Sequence, residues 1–179
     1  MKRFAAIALT VVLTACIQRS YEQNPDPNHT HADFAIWFDG EKVDFSGSEN
    51  MSGLPDDEAS ENHHKHLHMH DEIGGLIHRH KPGLSLEEFF GSLEYDFRSD
   101  KTWRMFVNEE EMEFDLSYVF ADMDAVLLTT SAGSAEVLNQ VELLSDDACL
   151  FSKTCPWRGD PPAENCIADP AIPCVAPLD

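Results

Sequence analysis

The chain has 179 residues, with 33 Asp and Glu against 12 Lys and Arg, so its formal net charge is −21 at pH 7. A surface this acidic repels nucleic acid and anionic lipid head groups, and it attracts cations. The foldable part of the chain is long enough for one hydrophobic core and too short for two.

The N-terminus has the features of an export signal. Lys2 and Arg3 precede an apolar stretch over residues 4–13, which is too short to span a bilayer. The sequence Leu-Thr-Ala-Cys that ends at Cys16 resembles the lipobox of bacterial lipoproteins. The resemblance implies cleavage before Cys16, acylation of its sulfur, and anchoring on the extracytoplasmic side of a cell-envelope membrane, with the outer membrane possible in a cell that has one. The alternative is an ordinary secretory signal.

The composition divides the chain into four predicted segments. Residues 1–15 form the signal peptide, and residues 16–28, which are polar and contain two prolines, form the lipid anchor and a flexible tether. Residues 29–146 form one His-rich domain, and residues 147–179 form a Cys-rich tail. Cleavage would remove two basic residues and no acidic ones, which leaves a formal charge of −23.

Alternating apolar and polar residues predict the strands of an α+β domain. Asp39-Gly40 is typical of a hairpin turn, and a polar loop follows over 46–62. A second hairpin is predicted around a turn at 71–75. In chain order, the predicted strands cover residues 31–38, 43–45, 65–70, 76–80, 103–107, 112–114 and 125–130.

Ser85 with Glu88 three residues later is the pattern of a helix capping box, and a second short helix is predicted over 137–144. The outline is a small mixed sheet of two hairpins and further strands with one packed helix. Residues 114–130 resemble the closing segment of the β-grasp fold in its ThiS/MoaD-type branch. The resemblance implies the fold and not sulfur transfer, because those carriers end in Gly-Gly and this chain ends in Pro-Leu-Asp.

Four cysteines lie in the tail, and in an oxidising compartment they predict two structural disulfides with three open connectivities. The alternative is a zinc site made of four thiolates, whose ligands are usually more closely spaced in pairs. The cysteines are Cys149, Cys155, Cys166 and Cys174.

The nine histidines carry the chemical signal. Most follow an i, i+2 pattern, which places side chains on one face of a strand about 6.5–7 Å apart. If residues 71–75 form the turn, His68 faces His78 and His66 faces His80 on one face, whereas a tight turn at 74–75 separates them. The apolar residues favour the first register. The expected metal ligands are His66, His68, His78 and His80, with His70 and His31 next.

Imidazole-rich ligation favours zinc or Cu(II). Asp71 and Glu72 lie beside His70, where they would orient imidazoles, act as a general base, or serve only as polar turn residues. His63 and His64 lie at the end of the acidic loop and are weaker candidates. Similar strand pairs occur in uncharacterised His-rich exported proteins of small-genome bacteria and some archaea, which this chain resembles.

These observations predict a lipid-anchored envelope protein that binds zinc or copper for capture, buffering or delivery. Its partners would be the metal ion, the membrane and an envelope metal-transport or acceptor protein, but not nucleic acid. The affinity would be lost as pH falls through about 6, since only neutral imidazole binds metal. Three alternatives are a metal-dependent hydrolase or lyase with three histidines and a bound water, a pH-sensitive surface adapter, and a flexible metal-buffering segment.

Overall fold

The computed structural model of the protein describes residues 20–52 and 63–162. The signal peptide, Cys16, most of the acidic loop, and Cys166 and Cys174 lie outside the described residues, so the predictions made for them stay predictions. In the described part, no helix combines the length and apolar character needed to cross a bilayer.

A seven-stranded mixed sheet forms the centre of the molecule, which confirms the α+β class. The strands are β1 (Thr30–Phe38), β2 (Glu41–Lys42), β3 (Leu67–His68), β4 (Leu76–Arg79), β5 (Arg104–Val107), β6 (Glu110–Met112) and β7 (Ala125–Thr129). Their order is β3-β4-β1-β7-β5-β6, and β2 pairs with the far end of β1. β1 and β7 are parallel, and the other pairs are antiparallel.

The first hairpin forms at the predicted turn. Asp39 and Gly40 both have positive φ, at 51° and 86°, as the tight turn of a two-residue hairpin requires. The return strand is shorter than predicted. The amide of Val43 still bonds the carbonyl of Ile36 at 2.9 Å, but Phe45 leaves the sheet because its ring is buried in the core beside Phe34.

Helix α1 (Leu86–Ser92) begins with the predicted capping box between Ser85 and Glu88. Its rings Phe89 and Phe90 pack at 5.4 Å and 5.7 Å from Phe34, on one face of the sheet. Helix α2 (Ser134–Glu142) covers part of the opposite face through Val137. Helix α2 confirms the second short helix that was predicted over 137–144. The sheet therefore carries helices on both faces, where only one packed helix was expected against it.

The described part of the predicted Cys-rich tail packs on the sheet, where Ala148 and Phe151 contact Leu76. It contains helix α3 (Ala148–Phe151) and a 3-10 helix (Pro156–Arg158). The Cys149–Cys155 disulfide closes the segment, with 5.5 Å between the Cα atoms. It confirms that the tail contains a disulfide, and it shows which partner Cys149 takes among the connectivities that the sequence left open. We call the described residues 147–162 the C-terminal segment. Part of the predicted tether lies against it, since the ring of Tyr21 is 5.3 Å from Trp157.

Asp33 of β1 explains why a helix forms in the C-terminal segment. Its carboxylate accepts hydrogen bonds from the amides of Asp147 and Ala148, both at 2.9 Å. These amides begin α3 and would otherwise have no helical partner. Burial raises the pKa of Asp33, and the bonds from the two amides oppose that rise.

Replacement of Asp33 by Ala should lower the free energy of unfolding by about 3 kcal/mol, because two amides lose a charged acceptor in a buried place. Urea denaturation of the oxidised protein measures the change. Asp146→Ala is the matched control, since the side chain of Asp146 is 79% exposed and lies 3.7 Å from Arg158. Equal stability of the two variants would contradict this role for Asp33.

Candidate metal centre

The register of three neighbouring strands brings the histidines together. His78 of β4 lies opposite His31 of β1 on one side and opposite His68 of β3 on the other. The amide of His80 bonds the carbonyl of His66 at 2.8 Å, which continues the same register. The predicted register is therefore confirmed. Leu67, Met69 and Ile77 share the core face, as expected from their alternation with the histidines.

Six imidazole rings form a closed circuit on the other face, and we call them the histidine cluster. Going around the circuit, each ring centroid lies within 6 Å of the next. The separations are 4.5 Å from His29 to His31, 4.7 Å to His78, 3.8 Å to His70, 5.9 Å to His68, 5.0 Å to His80 and 4.2 Å back to His29.

Within the cluster, His29, His78 and His80 each offer a ligand atom, and these atoms all lie within 4.8 Å of one another. Nitrogens bound to one tetrahedral zinc at 2.0–2.1 Å would be about 3.4 Å apart. To bind one ion, the three nitrogens therefore have to approach one another by no more than about 1.4 Å. The side chains of His78 and His80 are fully buried, and His29 is half-buried.

Most of the predicted ligands lie in the cluster, but one lies at its margin. His78 and His80 belong to the close group, and His31, His68 and His70 surround it. His66 is only half-buried, and its ring lies 6.4 Å from His64. His63 bonds the carbonyl of Met51 at 3.1 Å.

His29 was not among the predicted ligands, although it belongs to the closest group. It stands one residue before β1, whose predicted start was residue 31. Its i, i+2 spacing from His31 was the signal that could have placed it on the same face. The strand order, which sets β4 beside β1, was not visible in the sequence.

Hydrogen bonds at Nδ1 orient several of the rings. The Nδ1 atom of His68 lies 3.3 Å from the carbonyl oxygen of His64, and that of His70 lies 2.7 Å from a carboxylate oxygen of Asp71. Both oxygens can only accept, so each Nδ1 carries the hydrogen and Nε2 carries the lone pair of the neutral ring. Asp71 thus orients His70, which is one of the alternatives predicted for it. Glu72 lies in the turn and has a φ of 60°.

Apolar side chains of the C-terminal segment cover the cluster. The ring of Phe151 lies 5.8 Å from His31 and 5.4 Å from His78. Phe151 and Ala148 pack on Leu76, which shares the histidine face of the sheet. The cover removes water from the imidazoles, so charge on them is disfavoured.

Burial lowers the pKa of His68 to about 3. It also lowers the pKa of His80, again chiefly through desolvation, and that of the less buried His66. Buried imidazoles of this kind stay neutral at pH 7, which is the form that binds a metal ion. Metal release should therefore require a lower pH than the value of about 6 expected for solvated histidines.

No known protein family, curated protein or solved structure matches this chain. The chemistry of the site is therefore interpreted from its own geometry. Neutral imidazole nitrogens that converge in a covered place suit zinc, copper or nickel, whereas calcium and magnesium require oxygen ligands.

The metal-free protein should lose stability as pH falls below 6.5. The pKa of His68 is about 3 in the folded state against 6.5 for the free side chain, so the unfolded chain takes up the proton first. The stabilisation is complete above pH 6.5 and is lost toward pH 3, at about 1 kcal/mol per pH unit for each such histidine.

Urea denaturation between about pH 7 and pH 5 measures this loss in a range where carboxylates titrate little. His68→Asn should reduce the slope by about 1 kcal/mol per pH unit, because it removes one titrating group. A free energy of unfolding that is constant over this range would contradict the burial of neutral imidazoles.

Proposed function

We propose that this protein is a lipid-anchored envelope protein that binds a divalent transition metal through the histidine cluster. The observation that carries the proposal is the close group of His29, His78 and His80, whose ligand atoms lie within 4.8 Å of one another. The acidic chain, with a formal charge of −21, would raise the concentration of cations around it.

Capture, buffering or delivery of the ion fits this site better than catalysis does. A hydrolytic metal needs a position open to water and substrate. Here His78 and His80 are fully buried, and Phe151 packs over the cluster. Buried imidazole ligands suit the binding of an ion better than they suit a reaction, because a substrate could not reach the ion.

Zinc and Cu(II) are the ions that we propose. The ligand atoms are imidazole nitrogens, and Met69, which alternates with the histidines, points into the core and away from them. Cu(I) usually selects such soft sulfur ligands.

The lipobox resemblance at Cys16 supports the anchor and the extracytoplasmic location. An oxidising compartment agrees with the Cys149–Cys155 disulfide, since structural disulfides persist outside the reducing cytosol. Anchoring would hold the histidine cluster near the membrane surface, where an envelope transporter or acceptor protein could exchange the ion.

We also propose that the domain is a member of the β-grasp class. The support is a hairpin, a helix on one face, and a last strand that runs parallel to the first in the middle of the sheet. The paired strands β3 and β4 would then be an addition at the edge of the sheet beside β1.

The full-length chain in detergent should bind zinc or Cu(II) with a Kd below about 1 μM. His29→Gln and His80→Gln should each weaken binding by about 100-fold, because roughly 10–16 kcal/mol of binding free energy is shared among about four ligands. Isothermal titration with a competing chelator measures these affinities.

His63→Gln is the matched control, since His63 bonds the carbonyl of Met51. It should bind with the affinity of the wild type. Weak binding of several ions, or an affinity that His80→Gln leaves unchanged, would contradict a defined site and would indicate metal buffering without fixed geometry.

Cys16→Ser should move the protein from the membrane fraction to the soluble fraction, because it removes the acylated sulfur. Detergent phase partitioning of cells that express each variant measures the change. Thr14→Ser keeps a small residue before Cys16 and should stay membrane-bound. A Cys16→Ser protein that remains in the detergent phase would contradict the anchor.

A further inference from the structure

The close group supplies three nitrogens, whereas a tetrahedral zinc site takes four ligands. His31 lies beside two of the three members. Its ring centroid lies 4.5 Å from that of His29 and 4.7 Å from that of His78, two members of the group. His31 is also fully buried, so its ring has a fixed environment.

A chain of hydrogen bonds connects His31 to a carboxylate through the C-terminal segment. The Nδ1 atom of His31 lies 2.8 Å from Oγ of Ser152. The same hydroxyl donates to Oδ1 of Asp122 at 2.5 Å. A serine hydroxyl has one hydrogen. Since that hydrogen goes to Asp122, Oγ accepts from His31, so Nδ1 of His31 carries the hydrogen and its buried Nε2 carries the lone pair.

Asp122 is itself held in place. Its Oδ1 accepts the backbone amide of His31 at 3.0 Å, and its Oδ2 accepts from the side chain of Asn24 at 2.9 Å. The next amide, that of Met123, bonds the carbonyl of His31 at 2.7 Å. The loop before β7 therefore holds both the main chain and, through Ser152, the ring of His31.

We propose that Ser152 and Asp122 are positioning residues that set His31 as the fourth metal ligand through Nε2. This inference rests on the proposed metal binding and deepens it. The hydrogen bond from Nδ1 fixes the tautomer and makes Nε2 a better donor, as carboxylates do for histidines at zinc sites. The C-terminal segment thus completes the site, although it contributes no ligand.

The same contacts supply charge compensation. Four neutral imidazoles would leave the two positive charges of a bound divalent ion uncompensated. A buried charge without compensation is unfavourable. Asp71 bonds His70 directly, and Asp122 is connected to His31 through the hydroxyl of Ser152. Two carboxylates therefore lie next to the cluster. Their combined charge opposes that of one divalent ion.

The test uses the full-length oxidised chain, titrated with zinc and with cobalt as a spectroscopic probe. Ser152→Ala removes the hydroxyl, and Asp122→Asn removes the charge. Each should weaken zinc binding by about 10- to 100-fold. Each should also shift the visible absorption of bound cobalt, because a water replaces His31. Nitrogen NMR of the metal-free protein should show that Ser152→Ala lowers the population of the Nδ1–H tautomer of His31.

Ser92→Ala is the matched control, because the hydroxyl of Ser92 bonds the carbonyl of Phe89 at 2.8 Å within α1, on the other face of the sheet. It should leave the affinity and the cobalt spectrum unchanged. Wild-type affinity and spectrum in both Ser152→Ala and Asp122→Asn would overturn the positioning role while the metal site stands. Failure of the wild type to bind either ion would overturn both proposals.

Discussion

The antiparallel pairing of β4 with β1 and β3 is the constraint on which the rest of this molecule depends. It sets His31, His78 and His68 in one row across three strands. Side chains alternate between faces along a strand, so a slip of one residue would send the histidines of β4 into the apolar core. Leu67 and Ile77 prevent that slip, because their burial stabilises the register that exposes the histidines to one another.

The face of the sheet that carries the histidines is covered by the C-terminal segment, whose Ala148 and Phe151 pack on Leu76. Burial lowers the pKa values of His68 and His80 and keeps these rings neutral, which avoids the larger cost of buried charge. Asp33 holds the start of α3 through two amides, and α3 brings Phe151 and Ser152 against the cluster. Strand β1 therefore contacts the hydrophobic core, the C-terminal segment and the candidate metal centre.

Local patterns predicted most elements of this fold, because each depends on residues close together in the chain. The alternation in β1, the turn at Asp39 and the capping box at Ser85 all formed as expected. The position of the C-terminal segment could not be predicted, since it depends on contacts between residues more than a hundred positions apart. Ser152 and Asp122 were missed as site residues because they contact His31 from distant parts of the chain. His29 was missed although its i, i+2 spacing from His31 is a local signal.

The clustering of the histidines in sequence affects how a metal would act on folding. Seven of the nine histidines lie within residues 63–80, so an unfolded chain already holds a local chelator. An ion stabilises a fold only by the excess of its affinity for the folded state over the unfolded state. The thermal shift produced by metal should therefore be smaller than the affinity alone implies. The excess affinity of the folded state would come chiefly from His29 and His31, because these residues are distant in sequence and reach the ion only in the completed sheet.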